Sequence, residues 1–241
     1  SGESFPINMV SYVNLIGEGE EVTIFDAELT GRVIKMEDCD KIILSNLTII
    51  GGLGEYPDHR GSGMYIYNSN FIVNHITIIG NLNGGVWMEY SNSIFNHVII
   101  SENISGDAGG IYMFESNATL NHVLINGNIA GDTGGGLYMY GSDIVLNHVI
   151  MNGNRAGTCS VIYAYYSNLN CNHVTITENS SSQEGIITIG HDSELIMRNS
   201  IFWNYVDEQI SLSESAEINI TYTNFIGGYL GEGNINANPL L

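Results

Sequence analysis

Leu146-Asn147-His148-Val149-Ile150-Met151 is the stretch whose reading decides the fold. Its centre recurs as Asn74-His75-Ile76, Asn96-His97-Val98, Asn121-His122-Val123 and Asn172-His173-Val174, with histidine spacings of 22, 25, 26 and 25. A degenerate copy follows with Arg198 in the histidine place, and Asn46 holds that place 29 residues before His75. Six positions after each histidine stands another asparagine: Asn81, Asn103, Asn128, Asn154 and Asn179, with Asn204 continuing the row. Eleven positions before each histidine stands an apolar residue: Met64, Val86, Ile111, Leu137 and Ile162, continued by Ile187. A fixed period near 25 marks a stack of repeats, each burying its apolar face against its neighbours.

The content of the repeat selects among repeat architectures. Gly, Asn and β-branched residues without a 3.6-residue period exclude helical repeats. The Leu framework of leucine-rich repeats is missing. A coil of short strands separated by Gly/Asn/Ser turns remains, a parallel β-helix. In Gly136-Leu137-Tyr138-Met139-Tyr140, alternation sends Leu137 and Met139 inward and Tyr138 and Tyr140 outward. Val149 and Met151 face inward as well. Leu146 is also apolar, so the chain must bend between Leu146 and Val149. Asn tolerates the left-handed conformation of such a bend, which places it at Asn147. The row Asn74, Asn96, Asn121, Asn147 and Asn172 is then expected to stack as an internal amide ladder, with the histidines turned outward.

These bends and the Gly-Gly-apolar-Tyr strands resemble the right-handed parallel β-helix of the pectin lyase-like superfamily. Val13-Asn14-Leu15-Ile16-Gly17-Glu18-Gly19 and Leu47-Thr48-Ile49-Ile50-Gly51-Gly52 resemble bacterial surface proteins of that class. The resemblance runs from about Val13 to Asn238. It implies an all-β, single-stranded right-handed parallel β-helix (a β-solenoid) of about eight coils of roughly 25 residues with internal Asn ladders. Residues 1–241 then form one domain, with coils clearest over 31–226. At ~4.8 Å per coil the rod is about 35–40 Å long. Family members carry an N-terminal cap, and none is visible before Val13, so a fragment of a longer protein is expected. The resemblance is specific for fold only, since the superfamily holds lyases, hydrolases, epimerases, tailspikes and adhesins.

Two outward rows stand out. One is Tyr65, Trp87, Tyr112, Tyr138 and Tyr163; the other, two residues on, is Tyr67, Glu89, Phe114, Tyr140 and Tyr165. Their nine aromatic residues are the expected carbohydrate-binding face, because pyranose C–H faces stack on rings and phenols supply hydrogen bonds. In the resembled superfamily the outer face of this strand type lines the polysaccharide groove. Ring stacking that stiffens the sheet and a protein contact are the competing readings.

The chain carries 26 Asp+Glu against 6 Lys+Arg, a formal charge of −20. Nucleic acid is thereby a poor partner, since phosphates need basic residues to replace their counterions. No apolar run approaches the ~20 residues of a membrane span, so membrane insertion is not expected. The charged fraction of 13% is too low for a disordered acidic tail, and 44% hydrophobic residues suffice for a core. Cys39, Cys159 and Cys171 form neither a disulfide framework nor a CxxC motif.

Catalytic candidates are few. Asp58, His59 and Arg60, in the long loop Glu55-Tyr56-Pro57-Asp58-His59-Arg60-Gly61, suit acid/base and anion-clamp roles near one end of the aromatic strip. Glu89 and Glu115 could form a glycosidase pair. No residues match the catalytic motifs of pectate lyases or polygalacturonases position by position. Asp107 and Asp132, in Gly106-Asp107-Ala108-Gly109 and Gly131-Asp132-Thr133-Gly134, are candidates for calcium, which suits paired carboxylates beside carbonyls. No other cofactor is implied. Neighbouring imidazoles of the His75/His97/His122/His148/His173 row could bridge a transition metal, but a single strip lacks convergent ligands. The stretch from Gly227 to Asn236 reads as a loop leaving the last coil.

The expected function is a non-catalytic extracellular or bacterial cell-surface module that binds polysaccharide or a protein surface. A structural or self-assembling fibre, associating through β-helix ends or the aromatic face, is one alternative. A polysaccharide lyase or glycoside hydrolase with its groove on the same face is the other.

Overall fold

Runs of β-branched, aromatic and Met/Leu residues, punctuated by Gly, Asn and Ser, become strands of two to eleven residues that pair only in parallel. The computed structural model describes residues 4–54, 60–157, 161–183, 185–205 and 209–240. Among these the chain winds into a right-handed β-solenoid of about eight coils, with no helix. Each coil adds one strand to a nine-stranded sheet and then enters a fifteen-stranded sheet, and four successive coils also add a strand to a four-stranded sheet. Met64–Tyr67, Val86–Glu89, Ile111–Phe114, Leu137–Tyr140 and Ile162–Tyr165 are successive strands of the first sheet. In the second, Asp40–Ile50, Asn70–Ile79 and Asn92–Ser101 run unbroken through the bend. Later coils split there into pairs such as Asp143–Asn147 and Ile150–Asn152.

Alternation builds the core as expected. Met64, Val86, Ile111, Leu137, Ile162 and Ile187 are in register and buried, as are Val73, Phe95, Leu120, Leu146, Cys171 and Met197. The buried residues form one continuous cluster along the solenoid. Fully burying each large apolar side chain contributes on the order of 1.5–3 kcal/mol. The glycine pairs before the first-sheet strands have a steric cause. A Cβ on Gly63 would lie 2.5 Å from the Gly85 carbonyl oxygen, and one on Gly110 would lie 2.4 Å from that of Gly136. Only a residue without a side chain lets neighbouring coils approach so closely there.

The bend differs from expectation by one residue. The left-handed residues are His75, His97, His122, His148 and His173, with φ of 51–56°. Histidine, like Asn, is enriched in this conformation. Leu146 points in, Asn147 and His148 out, and Val149 in, so the parity problem is solved at the histidine. Arg198 pairs with Asn172, so Asn199, with φ 53°, takes the histidine place in that coil.

The Asn74/Asn96/Asn121/Asn147/Asn172 row is correspondingly half-exposed and forms an outer ladder. The internal ladder is the other row, Asn81, Asn103, Asn128, Asn154, Asn179 and Asn204, all buried. Asn103 donates both its backbone N–H and an Nδ2–H to Asn128 Oδ1, at 3.1 and 3.0 Å, and Asn128 repeats this toward Asn154.

A second internal ladder has no counterpart in the sequence reading. Ser69, Ser91, Ser116, Ser142, Ser167 and Ser193 are buried at the turn after the first sheet. Each hydroxyl accepts the backbone N–H one coil earlier: Ser91 N–H reaches Ser116 Oγ at 3.0 Å and Ser116 N–H reaches Ser142 Oγ at 3.1 Å. The hydroxyl proton goes to the carbonyl two residues back. These two ladders satisfy the buried backbone groups that the turns release from sheet pairing.

The C-terminal stretch does not simply leave the last coil. It folds back over it: Ile235 N–H donates to Thr223 O and Phe225 N–H donates to Ile235 O, at 3.0 and 2.9 Å. Asn234 ties the stretch to the coil, accepting Thr223 N–H at 2.9 Å and donating to Ile220 O at 2.8 Å.

Candidate functional site

The first-sheet strands are four residues long, so each presents two outward side chains per coil. Strict register stacks these into ladders. Tyr65, Trp87, Tyr112, Tyr138 and Tyr163 are consecutive Cα partners, as are Tyr67, Glu89, Phe114, Tyr140 and Tyr165. The structure therefore brings together all nine aromatic residues expected to form one face.

From Trp87 to Tyr163 and from Phe114 to Tyr165 the rings face each other rather than solvent. Trp87 and Tyr112 stack with centroids 3.5 Å apart and planes at 5°; Tyr112–Tyr138 and Tyr138–Tyr163 follow at 4.8 and 5.1 Å. Phe114–Tyr140 and Tyr140–Tyr165 stack at 5.4 and 5.8 Å. Parallel stacking occupies the π faces within the ladder, leaving ring edges and hydroxyls to water. A sugar ring cannot insert between such rings, so stacking on the ladder interior is not available to a ligand.

Two tyrosines outside the expected set do offer faces. Tyr90 and Tyr166 lie at the turn following the outer row, with side chains 45% and 43% exposed. Tyr90 sits edge-on to Tyr67 and Phe114, at interplanar angles of 84° and 83°. Tyr166 stands at 80° to Tyr140 and 85° to Tyr165. Their ring normals thus lie across the ladder axis. Glu115 and Gly141 occupy the equivalent turn position in the two coils between them. The two rings are three coils apart, about 14 Å along the solenoid. The backbone at both is left-handed, φ 53° and 51°, a conformation that is strained for an aromatic residue and that Asn68 and Gly141 adopt in the same column. The sequence carries a signal for them: each stands immediately before the serine that recurs at this turn from Ser69 to Ser193.

One end of the strip is cationic. The Arg32 guanidinium lies 4.4 Å from the Tyr65 ring centroid, and that of Arg60 lies 4.8 Å from Trp87. Arg60 Nη1 donates to Glu89 Oε1 at 3.1 Å, and Trp87 Nε1 donates to the same oxygen at 2.7 Å. Arg32 Nε donates to the Arg60 carbonyl at 2.9 Å. Glu89 Oε1 is thus held by two donors. Glu115 lies in the turn column rather than across a cleft from it. Asp58 and His59 lie outside the described residues.

Burial pushes the Tyr138 phenol up to about 12, with neighbouring Tyr112 and Tyr163 adding to the effect. The Tyr112 phenol is raised too, by burial first, while Arg60 opposes.

Asp107 and Asp132 occupy equivalent exposed turns, as Asp132 N–H donates to Gly106 O and Ala108 N–H to Thr133 O. Burial, then the Asp132 carboxylate, raise the Asp107 carboxyl above its ordinary range. The histidines form an exposed stack with centroids 4.8–4.9 Å apart. Their planes lie within 29° of parallel, so nitrogen lone pairs run side by side instead of converging. Among the described residues no group of three or more His, Cys, Asp or Glu is placed to hold a metal ion. Nor is any helix of the described residues long and apolar enough to cross a membrane.

The chain matches no family model, no curated protein and no solved structure.

Proposed function

We propose that this chain is a non-catalytic polysaccharide-binding or adhesive module of an extracellular or bacterial cell-surface protein, akin to the pectin lyase-like superfamily. Its binding face is the tyrosine-rich side of the nine-stranded sheet. The observation that carries this reading is the pair Tyr90 and Tyr166. Both rings are turned across the strip, both are exposed, and both occupy a backbone conformation that Asn or Gly adopts more cheaply. Strain kept at exposed positions supports a role in binding. A glycan lying along the solenoid would stack on these two rings, pass the Phe114 edge and the Tyr140 phenol between them, and meet the Tyr165 phenol beside Tyr166. The ladder beneath holds those hydroxyls in fixed positions, so little conformational entropy is lost on binding.

The test is a panel of neutral and acidic polysaccharides, with and without calcium, against the parent and Tyr90→Asn/Tyr166→Asn. Asn is native to this turn column at Asn68, so the variant keeps the turn. Binding by the parent that disappears in the folded variant supports the reading. Binding that survives, or no binding by the parent, overturns it. New reducing or unsaturated ends would instead mark an enzyme, and concentration-dependent assembly without glycan would mark a fibre.

A further inference from the structure

We infer a second polysaccharide site on a different face: a trough along the first half of the fifteen-stranded sheet that takes a linear, uncharged glycan lying parallel to the solenoid axis. Its volume is about 650 Å³, within the range of ligand clefts. The outward row Ile43, Ile72, Ile94, Thr119 and Val145 forms the apolar part of its lining. Ile94 and Val145 are 39% and 37% exposed, which a strand face without an occupant seldom leaves in a continuous row.

The rims identify the occupant. Two residues before the apolar row runs an exposed amide ladder. Asn70 donates to Asp40 at 2.7 Å, Asn92 to Asn70 at 3.0 Å, and Asn117 to Asn92 at 3.0 Å. Asp143 N–H donates to Asn117 Oδ1 at 3.1 Å. A primary amide has two N–H donors and two acceptor lone pairs. Asn70, Asn92 and Asn117 each spend one donor and one acceptor along the ladder. One N–H and one lone pair therefore remain toward water at each of these coils. Two residues after the apolar row lies the second ladder, in which Asn96 donates to Asn74, Asn121 to Asn96 and Asn147 to Asn121 at 2.8–3.0 Å.

The surface is thus an apolar strip flanked by two amide rows at the ~4.8 Å coil spacing, of which the first lines the trough and repeats a balanced donor–acceptor pair. Extended, equatorially linked pyranose chains repeat at nearly the same interval. They present C–H faces to the strip and hydroxyls, both donor and acceptor, to the rims. A polyanion is disfavoured by the −20 net charge and by Asp143 in the lining, which offsets the lining cation Lys41. An added peptide strand is disfavoured because this is the middle of a sheet, where each strand is paired on both sides and offers no free edge.

The experiment uses Tyr90→Asn/Tyr166→Asn as background, so that loss of the aromatic site is separated from loss of this one. The probes are β-1,4-linked glucose and mannose hexasaccharides, with polygalacturonate as the charged comparison. The expected result is binding of a neutral hexasaccharide in this background, with methyl shifts at Ile72 and Ile94. Ile94→Lys/Val145→Lys should weaken it by about tenfold or more. Asn92→Ala/Asn117→Ala, which leaves the apolar row intact, gives the same loss should the lysine pair fail to fold. No neutral-glycan binding in the background, binding indifferent to both trough variants, or preference for polygalacturonate overturns the inference. So does a parent that dimerises through this face, with the lysine pair monomeric.

Discussion

Asn103 gives two hydrogen bonds, one from its backbone N–H and one from Nδ2, to the single Oδ1 of Asn128 in the next coil. Asn128 is fully buried and also donates to Ile100 O at 2.9 Å. Removing its amide strands two donors of Asn103 and one carbonyl without a route to water. Each unsatisfied buried group costs about 1–3 kcal/mol. Asn128→Ala should therefore lose at least about 2 kcal/mol in urea unfolding. Asn128→Asp keeps the acceptor but buries a charge and loses the donors, and should be no better than Ala. A loss under ~0.5 kcal/mol for Ala would show that the ladder is not a stabilising element.

Tyr90 and Tyr166 should behave differently. Replacing either by Asn removes an edge-to-face aromatic contact, worth about 0.5–1.5 kcal/mol, and relieves left-handed strain of about 1–2 kcal/mol. These nearly cancel. Thermal unfolding of Tyr90→Asn/Tyr166→Asn should stay within about 1 kcal/mol of the parent. A collapse of the fold would assign both rings to structure.

The tyrosine ladder predicts an alkaline transition. The folded Tyr138 phenol is raised to about 12 from 10.0, so the folded state holds its proton where the unfolded state releases it. Its contribution is complete below pH 10 and is lost as pH climbs through about 12. Stability measured by denaturant should fall across that window. Tyr138→Phe, which keeps the stacked ring, should flatten the fall. An unchanged slope would refute the coupling.

Burial alone pushes the Cys171 thiol up, so at mildly alkaline pH it is the protonated, unreactive form. Peptide mapping after iodoacetamide treatment should find Cys171 unmodified in the native protein and alkylated once unfolded. Fast native labelling would mean that this coil opens locally.

Asp107 is raised by burial and by the Asp132 carboxylate, so the penalty appears as pH rises above its ordinary 3.8. Asp107→Asn should raise the melting temperature at neutral pH, with the gain vanishing in acid. A calcium-dependent rise in the parent that the variant lacks would instead mark a cation site.

Much of this architecture was legible in one dimension. The 25-residue period, the inward row from Met64 to Ile187 and the two aromatic rows all follow from strand alternation repeated at fixed spacing. Each coil repeats the same chemistry, so five weak copies add to one strong signal. The expectation of an internal ladder falls on the Asn74–Asn172 row rather than on Asn81–Asn204 because parity leaves the bend ambiguous. A left-handed residue at Asn147 or at His148 reconciles Leu146 with Val149 equally well. The choice decides whether the Asn147 row lies inside or outside the coil.

Sequence by itself thus determines that this chain is a parallel solenoid, and which residues share a row. Only the tertiary structure decides what a row presents. The stacked rings of Tyr112 and Tyr138 consume each other's faces, while Tyr90 and Tyr166 turn theirs across the strip. Arg60 settles on Trp87 and Glu89 across a coil. Row membership is a matter of backbone periodicity, which the order of residues encodes. Ring orientation, amide pairing and the side chosen at a bend depend on the neighbouring coil, which exists only once the chain has wound back on itself.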